Sequence, residues 1–408
     1  MPTFAAAEQK IALVMVGLPA RGKSYIARKL ARYLRWRGQE TRVFNVGMYR
    51  REIVGSQVSH DFFDPDNPDG RRERMRLADV ALRDMLKWLT QSGQIAIYDA
   101  TNSTRERRHW IRDTCKTQNV SVVFIETVCD DPQVIDRNLR DTKLHSPDYA
   151  GIAPEEALVD FKQRIAHYEK AYETVADDEG MCVKLIDEGK KVAVHHIDGA
   201  IMSRVVYFLM NLRTKRRPIW LTRHGESEFN VEDRIGGDSD LSARGHDFAR
   251  ALAGFMQTRR DIDPITVWTS RLRRTIQTAS YLPERTRAFR SLDEIDAGEC
   301  DGMTYSEVRK QFPDQFAQRS RDKLNYRYPR GESYNDVIQR LDPIIIEIER
   351  HEHPILIVSH QGVLRALYAY LMDTPPQDCP HLPMPLHTVL ELMPNAYGCS
   401  ERRFPLSS

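Results

Sequence analysis

Residues 17–24, GLPARGKS, satisfy the spacing G-x-x-x-x-G-K-[S/T] at every position. They lie between an apolar run, IALVMVG (11–17), and a helix-forming stretch rich in Lys, Arg, Leu and Ala over about 23–37. A strand, a glycine turn and a helix in that order constrain the chain strongly: the turn must curl until its N–H groups point at one anion. The helix N-terminus adds partial positive charge at the same place. The segment Gly17, Leu18, Pro19, Ala20, Arg21, Gly22, Lys23, Ser24 and Tyr25 is therefore expected to hold the phosphates of ATP. Lys23 would reach the β- and γ-phosphates, and Ser24 would ligate Mg2+.

Around this unit the chain alternates. VFNV (43–46), QIAIYDA (94–100), SVVFIET (121–127) and VAVHHI (192–197) read as strands, with helical patterns over about 75–90, 154–175 and 203–212. Such alternation predicts a mainly parallel sheet covered on both faces. RTKRRP (213–218) holds nothing apolar to bury and reads as a linker. A second α/β block follows, with strands at IWLTRHG (219–225), VWTS (267–270) and ILIVSH (355–360), and an irregular tail after about 394. The expected architecture is two α/β domains, 1–213 and 214–408, in a chain of 408 residues that is long enough for both.

Composition narrows the setting. No run of eighteen apolar residues is present, and MPTFAAAEQK lacks the pattern of a signal peptide, so neither a membrane nor export is expected. The six cysteines form no CxxC pair, which suits free thiols in the cytoplasm. A formal net charge of +2 gives no electrostatic case for nucleic acid.

In the first half, Asp99 ends the apolar strand QIAIYDA, where a metal-organising carboxylate or a base for an acceptor hydroxyl would sit. Thr101 and Arg107 follow closely. Arg50 and Arg51 come after the second strand, and Arg74 opens a helical pattern. As a set these arginines suit a phosphorylated acceptor. Lys143, in KLHSPDY (143–149), could close over ATP as a lid residue, although taken by itself it reads as a solvent-exposed lysine.

In the second half, Arg223-His224-Gly225 ends one apolar strand, and His360, in SHQG (359–362), ends another. Two histidines at the ends of parallel strands can flank one phosphoryl group. His224 would attack phosphorus as a neutral imidazole, with Arg223 and His360 stabilising the equatorial oxygens and no metal required. Asn230 and Arg274 are further candidates for phosphoryl contacts, and Glu294 for the proton donor to the leaving alkoxide. Arg319, Lys323 and Arg327 recur every four residues and on a helix would share one face.

GLPARGKS, YRRE (49–52), DATNSTRERR (99–108), KLHSPDY, TRHGESEFN (222–230), RIGGDSDLSARG (234–245), TSRLRRTIQTA (269–279), EIDAGEC (294–300), RYPRGESY (327–334) and PLHTVLEL (385–392), in this order, resemble the bifunctional 6-phosphofructo-2-kinase/fructose-2,6-bisphosphatase family. The resemblance runs from about residue 11 to about 399. It implies a P-loop kinase joined to a phosphoglycerate-mutase-like histidine phosphatase, with opposed reactions. The first half would phosphorylate fructose 6-phosphate at O2 with Mg·ATP. The second would hydrolyse fructose 2,6-bisphosphate through a phosphohistidine. By resemblance, Arg50, Arg74, Thr101, Arg107, Lys143, Arg164 and Tyr168 contact the sugar phosphate, and Asp99 falls on the kinase aspartate. His224 corresponds to the phosphorylated histidine, Glu294 to the proton donor, and Arg223, Asn230 and His360 to transition-state stabilisers. Gly236, Arg274, Tyr305, Arg319, Lys323, Arg327, Gln361 and Arg365 correspond to substrate contacts in the phosphatase. A homodimer is expected. His145 and Gly362 stand where the family pattern leads one to expect glycine and alanine. Other possibilities are a family member with only one significant activity, a polynucleotide end-healing kinase–phosphatase, and a sensor with both sites decayed. The near-neutral charge and the paired histidines weigh against the end-healing enzyme, and the presence of every presumed chemical residue weighs against the sensor.

Overall fold

β1 (Lys10–Val16) is apolar after its first residue, and those apolar positions are all buried, as a strand covered on both faces requires. It lies third in a six-stranded sheet of order β2-β3-β1-β4-β5-β6, formed with β2 (Thr41–Asn45), β3 (Ile95–Asp99), β4 (Val120–Val128), β5 (Cys182–Ile186) and β6 (Lys191–His195). β1 to β5 run parallel, and β6 returns antiparallel to β5. The second sheet has the order β12-β11-β7-β10-β8-β9, from β7 (Ile219–Arg223), β8 (Thr266–Thr269), β9 (Thr286–Ala288), β10 (Ile355–Ser359), β11 (Thr388–Asn395) and β12 (Gly398–Pro405). β7, β8, β9 and β10 pair in parallel; β11 pairs antiparallel with β7, and β12 antiparallel with β11. The computed structural model describes residues 10–140, 147–259, 264–395 and 398–406, so Lys143 and His145 lie outside the described residues. Two compact units result, Met1–Thr214 and Lys215–Ser408.

Each sheet is packed on its own apolar core. In the first unit Val14, Val16, Phe44, Tyr98 and Phe124 meet Leu82, Met85 and Leu89 of the helix Pro68–Gln91. In the second, Trp220, Val267, Leu356 and Val358 meet Phe248, Leu252 and Met256 of the helix Ala243–Gln257.

Several expectations change. The tail after 394 is not irregular: β12 pairs with β11 along its whole length. Its sequence GCSERRFP hides a strand because it is an edge, where only alternate side chains need be apolar and charged ones are favoured. Phe404 packs on Phe255, while Arg402 pairs with Glu391. The basic stretch 213–218 is not wholly a linker either. Arg217 is buried, and its guanidinium donates to the Ile348 carbonyl of the second unit. The helix expected from 75 begins at Pro68, capped by the Asn67 side chain, so Arg74 lies inside it rather than opening it. Arg319, Lys323 and Arg327 do not share a helix face. The helix Pro313–Arg321 stops before Lys323, where Asp322 leaves the helical region and its carboxylate accepts from Asn325.

Candidate active sites

In both sheets the candidate groups stand at the carboxyl ends of parallel strands, where open α/β sheets bind ligands. In the first unit β1 runs into Gly17, whose φ of +133° and position against Thr127 exclude a side chain: a Cβ there would lie 2.5 Å from the Thr127 carbonyl oxygen. Its N–H is held by the Thr101 carbonyl at 2.9 Å. Gly22, at φ 80°, starts the helix Lys23–Trp36 without a side-chain cap, which leaves the first helical N–H groups to a ligand. Lys23 is buried with its ammonium 2.6 Å from the Leu18 carbonyl, folded back over the turn. The Arg21 side chain braces the turn. Its guanidinium is buried and donates to the Cys129 and Pro19 carbonyls, bracing the turn against the end of β4.

Parallel register sets the Asp99 end of β3 opposite Asn45 of β2. The Asn45 amide donates to the buried Asp99 carboxylate, while its own Oδ1 caps the following helix by accepting from Met48. Sequence reasoning missed Asn45; the available signal was a polar residue closing a strand beside Asp99. The hydroxyl of Ser24 and the carboxylate of Asp99 are the hard oxygen donors that Mg2+ prefers, and they fit it.

The arginines divide. Arg74 and Arg107 lie close enough for mutual repulsion, and burial, with Arg107 adding to it, pulls the Arg74 guanidinium below its ordinary value. Like charges brought together in this way suit an anion. Tyr168 is near Arg74, and Arg107 is steered by the Asn102 side-chain oxygen at 3.1 Å. Arg50 and Arg164 converge instead on Asp148, at 2.6 Å and 3.8 Å. Arg164 also lies 4.7 Å over the Phe63 ring. Asp148, within KLHSPDY, was not singled out from the sequence, and it organises this pair.

In the second unit the register places Arg223 of β7 opposite Ser359 of β10. The next residues, His224 and His360, therefore emerge side by side, with ring centroids 5.1 Å apart. Both are buried. His224 Nδ1 faces the Gly225 carbonyl at 2.7 Å. A carbonyl only accepts, so Nδ1 carries the hydrogen and Nε2 the lone pair. Arg274 Nε donates to that Nε2 at 3.2 Å. Burial, followed by the charges of Arg274 and Arg223, holds the His224 imidazole well below its ordinary range, and burial does the same to His360. Burial also lowers Arg223 to about 10. His360 Nε2 rests on Ser270 Oγ at 2.8 Å. His360 Nδ1 and Arg223 Nε are buried and lack a hydrogen-bond partner among the described residues. Unpaired buried polar atoms are rare and costly, and phosphoryl oxygens would satisfy them.

Supporting parts surround the pair. Gly236 and Gly237 form a turn wedged between Asp301 and Phe229, which leaves no room for a Cβ at either position. The Gly237 carbonyl then accepts from Arg274 at 2.7 Å. Asn230 Oδ1 is taken by Ser227, leaving its amide nitrogen as the donor. Arg319 donates to the hydroxyls of Tyr328 and Tyr305. Lys323 is lowered to about 8 by burial and then by Arg365 and Arg319, a clustering of cations that suits a second phosphate. Arg365 lies one helical turn after Gln361 in the helix Gln361–Met372 and donates to Tyr334. Arg327 turns to Asp336.

Comparison with known proteins agrees with this geometry. Residues 2–216 match 6-phosphofructo-2-kinase, and residues 219–405 match the histidine phosphatase superfamily, branch 1. The chain is 49% identical over 392 residues to 6-phosphofructo-2-kinase/fructose-2,6-bisphosphatase 3 of Rattus norvegicus, covering 95% of this chain and 70% of the relative. It is 47% identical to the 6-phosphofructo-2-kinase/fructose-2,6-bisphosphatase of Gallus gallus, covering 95% and 83%, and 48% identical to that of Arabidopsis thaliana, covering 98% and 54%. The chain belongs to the 6-phosphofructo-2-kinase/fructose-2,6-bisphosphatase family. It is an enzyme of two domains, a nucleotide-using kinase ahead of a histidine phosphatase. Gly362 acquires a reason in that setting. Its N–H donates to both Glu294 oxygens, at 3.2 Å and 3.3 Å, and a Cβ would lie 2.7 Å from Glu294 Oε1. Glycine lets the Glu294 carboxyl rest directly on the first turn of the helix.

Proposed function

We propose that this chain both makes and breaks fructose 2,6-bisphosphate in the cytoplasm, and so controls flux between sugar breakdown and synthesis. In the kinase domain, the amides of 17–24 and Lys23 hold ATP while Arg50, Arg74, Thr101, Arg107, Arg164 and Tyr168 hold fructose 6-phosphate with O2 toward the γ-phosphate. Lys143, outside the described residues, is assigned to the same centre by its match to the family pattern alone. Ser24 and Asp99 would hold Mg2+, which when bound neutralises phosphate charge. Asn45 fixes the Asp99 carboxylate, and the glycine turn keeps its amides aimed at the phosphates.

In the phosphatase domain, His224 Nε2 bonds to phosphorus as the bond to sugar O2 breaks. Glu294 gives its proton to the departing alkoxide, and water then releases phosphate from the histidine. Arg223, Asn230 and His360 stabilise the transferring group. Gly236, Arg274, Tyr305, Arg319, Lys323, Arg327, Gln361 and Arg365 hold the rest of the sugar bisphosphate. The residues supply the charge complement without a metal. The observation that carries this reading is the buried pair His224 and His360, with a fixed tautomer on the first and an unsatisfied nitrogen on the second.

A homodimer is supported by the open edge of β6, whose Val194 is exposed, as are Tyr207 and Met210 of the helix Ala200–Asn211. Cytoplasmic residence is supported by six free thiols, five of them buried. Among the described residues no helix is long and apolar enough to cross a membrane. Incubation with Mg·ATP and fructose 6-phosphate should yield an acid-labile bisphosphate. Rapid quench with 2-phosphate-labelled fructose 2,6-bisphosphate should trap label on His224. Failure to turn over fructose 6-phosphate, together with phosphorylation of a 5′-hydroxyl oligonucleotide, would replace this reading with that of an end-healing enzyme.

A further inference from the structure

Away from the phosphate-binding turn, the first unit brings two histidines and two carboxylates together. His60 and Asp61 open a short 3-10 turn, His60–Phe63, and His167 stands on the helix Pro154–Lys170. His60 Nδ1 lies 3.2 Å from His167 Nε2 and 3.3 Å from Asp61 Oδ1. The three ligating atoms all fall within 4.8 Å of one another. Behind them, Asp64 Oδ2 lies 3.1 Å from His167 Nδ1, and its other oxygen faces the Lys170 ammonium at 3.4 Å.

A single shared proton can join two imidazole nitrogens. The further oxygens point to more than a proton. Two ligands about 2.05 Å from a tetrahedral ion lie about 3.3 Å apart, so a small rotation of the rings lets one ion take the place of the proton without moving the backbone. Asp61 supplies a hard third ligand on the solvent side, where its side chain is 69% exposed, whereas that of His167 is 14% exposed. Asp64, 3.1 Å from His167 Nδ1 but out of line for a hydrogen bond as it stands, is placed to take that Nδ1–H once the ring turns to a metal, the carboxylate–histidine pair that orients metal-bound imidazoles. Mixed imidazole and carboxylate donors select zinc, cobalt or nickel over Mg2+.

We infer that His60, Asp61 and His167 form a binding site for one divalent transition-metal ion, with Asp64 as its positioning residue. The site is separate from the Mg2+ that the kinase reading requires, and metal binding can be tested without any activity assay. Full-length protein, stripped with EDTA and exchanged into chelator-free buffer, is titrated with Zn2+ by calorimetry and with Co2+ by visible absorption. One equivalent is expected, with a spectrum of nitrogen and oxygen ligation and no thiolate charge transfer. His60→Ala and His167→Gln should each weaken binding at least tenfold, and Asp64→Asn about tenfold. His196→Ala, at the adjacent pair His195 and His196, should leave binding unchanged. Thermal midpoints in EDTA establish that each variant is folded. Undiminished binding in folded His60→Ala or His167→Gln, a thiolate spectrum, or no stoichiometric binding by the parent chain would overturn the proposal.

Discussion

On the proposed function, the two units would grip phosphate by opposite means. In the first, the grip would be main chain: a turn whose shape depends on Gly17 and Gly22, aimed by an uncapped helix, with the Lys23 ammonium folded back over it. In the second, the grip is side chain: two imidazoles and two guanidiniums are crowded into a buried place, and burial lowers all four below their ordinary values. Main-chain amides carry no titrating proton, so the first site fails when its backbone is forced out of shape. The second has ordinary strand backbone beneath it and fails when its protonation or charge balance is disturbed.

The largest expected effects test whether the sites are separate. His224→Ala should cut hydrolysis of fructose 2,6-bisphosphate by on the order of 10³-fold or more, because the nucleophile is gone. Its kinase rate should stay within about twofold of the parent. Lys23→Ala should do the reverse, with a loss on the order of 10²-fold to 10³-fold in phosphoryl transfer. Both activities measured on both variants decide the matter. A variant that lost both would break the comparison.

Next in size is a test of backbone against charge. Gly17→Ala changes no charge, yet it places a carbon 2.5 Å from the Thr127 carbonyl oxygen at a φ of +133°. The strain should cost about 1–3 kcal/mol and depress kinase activity at least tenfold, with a lower thermal midpoint for the first unit and unchanged bisphosphatase activity.

pH should separate the sites more gently. The folded state holds His224 well below its ordinary value of 6.5. Below that pH the unfolded chain binds protons that the folded chain refuses, so the second unit should lose stability as pH falls from about 6.5 toward the lowered value. Across the same range His224 stays neutral. The rate of phosphohistidine formation, followed by rapid quench, should therefore show no inflection near 6.5. An inflection there would mean that the crowded cations do not control the imidazole.

Legibility in the sequence follows the same division. The strand–turn–helix around GLPARGKS was legible, because it is a local device whose neighbours in sequence are its neighbours in space. The histidine pair was legible only because each member ends an apolar strand. That those strands are adjacent and in register, β7 beside β10 with Arg223 opposite Ser359, is a tertiary fact. Asn45, Asp148 and Ser270 escaped notice because their roles depend on partners distant in the chain. β12 escaped because an edge strand of alternating polar residues carries little apolar signal. The four-residue spacing of Arg319, Lys323 and Arg327 misled because the helix ends at Arg321. Arg365, from another element, takes the place beside Lys323.

The smallest effect probes a main-chain donor to the Glu294 carboxyl in the second site, one that acts beside the Ile295 N–H, which donates to the same carboxyl at 2.9 Å. Gly362 N–H, in the first turn of the helix Gln361–Met372, donates to the Glu294 carboxyl. Gly362→Ala adds a single carbon 2.7 Å from Glu294 Oε1. The Glu294 side chain is flexible and can yield, so the fold should be unaffected and the thermal midpoint should hold. Its carboxyl would be displaced from the position in which it meets the leaving oxygen. Displacement of a proton donor by a fraction of an ångström should lower the first-order rate of phosphohistidine formation by about threefold to tenfold, with KM little changed. Glu294→Gln, which keeps the shape and removes the proton, should fall further, and adding Gly362→Ala to it should bring no additional loss. Independent, multiplying losses would mean that the glycine acts on something other than the Glu294 carboxyl, and the amide contact would then be packing alone.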